Sequence, residues 1–155
     1  MVNAYNTEGF ASVPVIALTE EFYEYFSNHK HREYYSKDYD PIPRVFRKYK
    51  DGDKEFHYID YMTICLESLD WQRSKKQLEL YRSSNPDEKN IIMSEGYRQN
   101  IDDWLNRHAR NIESAYSAAD DENVRKKYVW LCSYHNEIAS NFTPNPNCQC
   151  AVAMK

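Results

Sequence analysis

The residues with the most chemistry in this chain stand in its last 26 positions: Trp130, Cys132, His135, Asn136, Cys148 and Cys150. Cys132 and His135 are three apart, the spacing that puts two side chains on one helix face, and Asn136 follows Cys132 by four. Pro144 and Pro146 end any helix there, so the following segment can turn back and bring Cys148 or Cys150 to the same face. Three chemistries fit these residue types. One is a disulfide from Cys132 to Cys148 or Cys150, closing a loop of about 15–20 residues worth at most roughly 3 kcal/mol. A second is zinc held by Cys132, His135, Cys148 and Cys150, although a Cys-x-Cys arm is tighter than the usual Cys-x-x-Cys. The third is a set of reduced, unligated thiols around a helix end. Cys65 stands apart in an apolar run and reads as a small buried hydrophobe.

The elements that must position this cluster read as helices. Asp120 or Asp121 can start the last long helix, whose stripe is Val124, Tyr128, Leu131 or Cys132, His135 and Ile138. Before it, Tyr97, Ile101, Trp104, Leu105, His108, Ile112 and Tyr116 make the clearest amphipathic pattern, with His108 as a core histidine. Asn85, Pro86 and Glu88 predict a capped helix start, and Gly96 is expected to interrupt that helix or separate it from the next. Helical spacing at Tyr58, Met62, Cys65, Leu66 and Leu69 predicts a helix continuing through Leu78 or Leu80. Thr19 caps a first helix, and Asp51-Gly52 suits a tight hairpin turn within residues 45–58. The expected fold is mostly α, a small bundle of four or five helices with a short β-hairpin near 45–58 and extended termini. The expected division is an arm at 1–17, a single helical domain at 18–142 and a tail at 143–155 folded back on the last helix.

Composition narrows the function classes. Aromatic residues make up 15%, including 14 Tyr, so a mean hydropathy of −0.89 does not mean disorder. The tyrosine excess suits a core with polar margins or a partner surface, as in a protein-interaction subunit or homo-oligomer. Twenty basic against 24 acidic residues leave no positive surplus for a phosphate backbone, so nucleic acid is not an expected partner. No apolar run is long enough to span a membrane, and no classical signal peptide is read at the start. Three glycines are too few for a phosphate-cradling loop, and no carboxylate pair or serine nucleophile stands in a recognisable motif.

The run Trp130-Leu131-Cys132-Ser133-Tyr134-His135-Asn136-Glu137-Ile138, followed by Cys148 or Cys150, resembles the end of the Erv/ALR family of FAD-dependent sulfhydryl oxidases. The resemblance implies a compact helical bundle, often a homodimer, with Trp130, Cys132, His135 and Asn136 lining a flavin. It also implies a structural disulfide from Cys132 to Cys148 or Cys150, and Cys148-Gln149-Cys150 is similar to the thiol shuttle of some members. The family's redox Cys-x-x-Cys has no counterpart, since the corresponding region reads Asp103-Trp104-Leu105-Asn106. Thiol oxidation needs an attacking thiolate and a resolving partner. The sequence therefore points to a non-catalytic helical structural or interaction subunit, a degenerate relative of these oxidases. A divergent FAD-dependent thiol oxidase and a small zinc-stabilised binding domain are the alternatives.

Overall fold

The computed structural model describes residues 13–34, 40 and 42–152, so most of the predicted arm lies outside the described residues. The chain is mostly helical with a small three-stranded antiparallel sheet, as expected. It divides into two compact units, residues 1–64 and 65–155.

In the first unit β1 (Ile16–Ala17), β2 (Phe46–Asp51) and β3 (Lys54–Ile59) form the sheet in the order β1-β3-β2. The hairpin forms where the sequence placed it, but Asp51 pairs with Lys54, so Gly52 and Asp53 are the turn. Among the described residues Gly52 alone takes a positive φ, +58°, which matches the right-handed strand twist at low cost. Thr19 accepts from the Phe22 amide at 3.2 Å and caps α1 (Glu20–Ser27), whose Tyr23 stacks on His57 of β3. A single helical turn, α2 (Ile42–Val45), leads into β2.

The long helix expected from Tyr58 to Leu80 is two short ones, and side-chain caps explain the break. Tyr58 lies in β3. Asp60 then accepts from the Thr63 amide at 3.1 Å and its hydroxyl at 2.9 Å, starting α3 (Tyr61–Glu67). Asp70 bonds the Trp71 and Gln72 amides, holding a non-helical loop until Ser74 caps α4 (Lys75–Ser83). The boundary between the units falls within α3.

The second unit is built on two helices, α5 (Pro86–Ala118) and α6 (Glu122–Phe142). Asn85 and Glu88 form the predicted capping box, with reciprocal bonds of 3.0 and 3.1 Å. Asp121 caps α6 through the Asn123 and Val124 amides. The three residues between the helices leave room only for a hairpin. Gly96 does not divide α5, which runs on for 33 residues, about 50 Å at 1.5 Å per residue. Its missing side chain is used differently: the Trp71 carbonyl occupies the space that a Cβ would take. Asn100 donates to the Asp70 carbonyl and Arg73 pairs with Asp103, fixing that loop against α5. Leu105, Ala109 and Ile112 of α5 are buried, as are Cys132, Tyr134, His135, Ile138 and Ala139 of α6.

Candidate functional site

Thr143, with φ −150° and ψ 142°, ends α6 in extended backbone, because Pro144 disfavours a helical conformation at the preceding residue. Asn145 then caps a single 3-10 turn at Pro146–Cys148 through the Asn147 amide, and its own amide donates to Asp102 on α5 at 3.0 Å. From Asn147 to Ala151 the chain runs along the two long helices. The side chains there bind its main chain.

Asn136 makes both halves of an amide pair with Cys150. Its Oδ1 accepts from the Cys150 N–H at 2.7 Å, and its Nδ2 donates to the Cys150 carbonyl at 2.9 Å. The Cys132 thiol donates to that same carbonyl at 3.3 Å. His135, fully buried, reaches the Cys148 carbonyl through Nε2 at 2.7 Å. From α5, Arg110 donates to the Gln149 carbonyl at 3.0 Å, and Glu113 accepts from the Ala151 N–H at 2.8 Å. Cys148 and Cys150 are buried, while Ala151 is exposed. A buried main-chain group left without a partner costs about 1–3 kcal/mol, so these bonds fix where the segment lies.

Proton roles at the histidines come from the acceptors. A carbonyl only accepts, so His135 carries its proton on Nε2, and its Nδ1 lone pair receives the Nδ1–H of His108 at 2.9 Å. Trp104 stacks on the other imidazole, His108, at 4.9 Å. Burial, and then the neighbouring His135, pushes the His108 pKa down to about 4. Burial also lowers that of His135, against the opposing pull of the Cys148 carbonyl. Both rings are neutral near pH 7. Burial raises the Cys148 thiol, helped by the negative charge of Asp102. Burial followed by the hydrogen bond with Cys132 raises Cys150. Neither thiol is poised as a thiolate nucleophile.

These shifts make stability depend on pH. The unfolded chain takes up a proton near the ordinary histidine value of about 6.5, whereas folded His108 resists it until about 4. Stability is therefore intact above pH 6.5, falls as the pH drops through the interval, and levels off near pH 4. Discounted for partial exposure, the loss from His108 is about 1–2 kcal/mol. Urea midpoints of the wild type and His108→Gln at pH 7.5 and 4.5 measure it. A wild-type curve no steeper than the variant's refutes the assignment.

The cluster predicted from sequence is thus assembled, with a different division of labour. Cys132, His135, Asn136 and Cys150 meet, and Cys150 rather than Cys148 is the thiol beside Cys132. Cys148 turns its sulfur towards the Asp102 carbonyl, 3.5 Å away. All four cysteines are free thiols in this structure. Trp130 stacks on Tyr134 at 5.3 Å. The alternative zinc set does not converge: among the described residues no three His, Cys, Asp or Glu form a metal-binding group. Both ring nitrogens of His135 already have partners, and Cys148 points elsewhere. Sequence reading missed Arg110, Glu113 and Asp102. Arg110 and Glu113 bond each other at 2.5 Å and carry the signature of an ordinary solvated i,i+3 pair.

Comparisons with family models, with curated proteins and with solved structures found no match for this chain. Among the described residues no helix is long and apolar enough to cross a membrane.

Proposed function

We propose that the chain is a non-catalytic structural or protein-interaction subunit, a degenerate sulfhydryl-oxidase-like domain in which the motif side chains hold the segment that follows α6. The observation that carries this reading is the commitment of Cys132, His135 and Asn136 to the main chain of Cys148 and Cys150. Catalysis by these groups would need an imidazole with a free nitrogen or a thiol of lowered pKa. His135 has both nitrogens bonded, and Cys148 and Cys150 are raised. The same commitments weigh against flavin, because the imidazole and amide that would face it already bond the segment beside them. A flavin bound there would have to displace that segment.

The staple suggested by the Erv/ALR resemblance then belongs to Cys132 and Cys150. Oxidised glutathione would accept two electrons and two protons from the two thiols, giving the protein disulfide and two molecules of glutathione. The bond would span a sequence separation of 18 residues and contribute about 3 kcal/mol. An absorption spectrum of the native protein, with a free-thiol count before and after that oxidation, tests the reading. The expected sample is colourless and loses the Cys132 and Cys150 thiols together. A yellow sample whose chromophore is released on unfolding as free flavin overturns it in favour of the oxidase. Stoichiometric zinc in protein purified without chelator overturns it in favour of the zinc domain.

A further inference from the structure

The segment from Asn147 to Ala151 is held as a peptide ligand is held. Its carbonyls and N–H groups are bonded by side chains on two helices, and its two thiols meet the Asp102 carbonyl and the Cys132 thiol. What the groove holds is a short segment that leaves the 3-10 turn at Pro146–Cys148 and is extended from Gln149, with Cys148 and Cys150 buried on either side of Gln149. None of these bonds requires the segment to be joined to the α6 of the same molecule. The join is four residues, Thr143 to Pro146, and two of them are proline. The residues before those prolines are already extended, Thr143 at φ −150° and ψ 142° and Asn145 at φ −70° and ψ 113°. Straightening the join therefore moves neither of them out of its backbone region.

We infer that the α5–α6 groove is a receptor for the 147–151 segment of a second copy of this chain, and that copies assemble by exchanging these segments. This inference rests on the segment-holding reading above and names its partner. The exchanged complex keeps every groove bond and alters only the join, which is why such exchange is a low-cost route to dimers. The tethered segment has an effective concentration of about millimolar, so the closed monomer prevails in dilute solution. Concentration, or a join too short to close, tips the balance to the dimer.

Complementary cysteine chains test this in full-length protein. One carries Cys132 alone (C65S, C148S, C150S), and the other carries Cys150 alone (C65S, C132S, C148S). Equal amounts are concentrated, incubated and oxidised with diamide, which takes two electrons and two protons from a thiol pair. The expected product is a covalent heterodimer joined between Cys132 and Cys150, suppressed by excess synthetic 146–155 peptide with serine at both cysteine positions. Deleting Pro144 alone from both chains, which shortens the join and keeps Asn145 with its bond to Asp102, is expected to raise the yield several-fold and to double the mass seen by light scattering. A parent with both Cys132 and Cys150 (C65S, C148S) reports on the groove itself by closing an intrachain bond. An intrachain bond with no heterodimer, or a heterodimer indifferent to peptide, overturns exchange and leaves segment-holding intact. Absence of both bonds overturns both readings.

Discussion

Replacing Gly96 with alanine is expected to destabilise the protein by about 2–4 kcal/mol, although helix propensity alone predicts a gain of about 1 kcal/mol. The inversion of sign comes from the Trp71 carbonyl, which lies where the new Cβ must go, with the Gln77 amide 2.9 Å from the same point. A flexible side chain could swing aside, but a main-chain oxygen cannot move without its loop. That loop is tied to α5 on one side by Asn100 bonding the Asp70 carbonyl and on the other by Arg73 pairing with Asp103. Either the 70–73 loop lifts and gives up those bonds, or α5 bends. Urea denaturation of Gly96→Ala beside Ser94→Ala, an exposed position two residues away in α5, measures the effect. A Gly96→Ala midpoint equal to or above the wild type's would show that the loop does not rest on this helix.

The same glycine marks where sequence reasoning stops. From the chain alone Gly96 reads as a break, because a helix interior has no local use for it. Its use is a contact with Trp71, 25 positions earlier, and nothing in the spacing around Gly96 announces that. Features that depend on a few neighbouring residues were legible: the Asn85–Glu88 capping box, the Thr19 cap and the α5 and α6 stripes through Leu105, Ile112, Cys132, His135 and Ile138. The hairpin was legible too, but its turn lies one residue later than expected, at Gly52-Asp53, because Asp51 is as good a turn former as Asp53. The single helix expected across Tyr58 to Leu80 failed for a related reason. Apolar spacing continues through that stretch, while Asp60, Asp70 and Ser74 cap the backbone and stop it.

At the site, residue types identified the participants but not their partners. Cys132 and His135 were expected together because a helix puts them together. Whether Cys148 or Cys150 meets Cys132 depends on how the main chain of the segment is anchored, and Arg110 and Glu113 supply part of that anchor. The histidine pair shows the same limit. His108 was expected in the core and is half-buried, and its bond to His135 fixes the tautomer of both rings and leaves each neutral near pH 7. A neutral pair is what lets His135 donate to the Cys148 carbonyl without bringing a buried charge into the groove.

Asn136 is where the segment-holding reading is most exposed to test. Asn136→Ala is expected to cost about 2–4 kcal/mol, since it removes the partner of the Cys150 N–H and one of the two donors to its carbonyl. Asn136→Asp keeps the acceptor, loses the donor and sets a carboxylate beside the Cys150 carbonyl, so it should not rescue. Stability alone does not identify the mechanism, because any half-buried polar residue can matter to a fold. Hydrogen exchange at single amides does. In Asn136→Ala the Cys150 and Ala151 amides should lose protection by about two orders of magnitude or more, while α5 and α6 amides away from the groove change only with global stability. If Asn136 serves instead to face a flavin, the variant leaves the flavin-free protein as stable as before and those two amides as protected as before. The two roles make opposite demands on one side chain, because an amide that already donates to and accepts from Cys150 has no second donor–acceptor face to offer a purine-like ring edge.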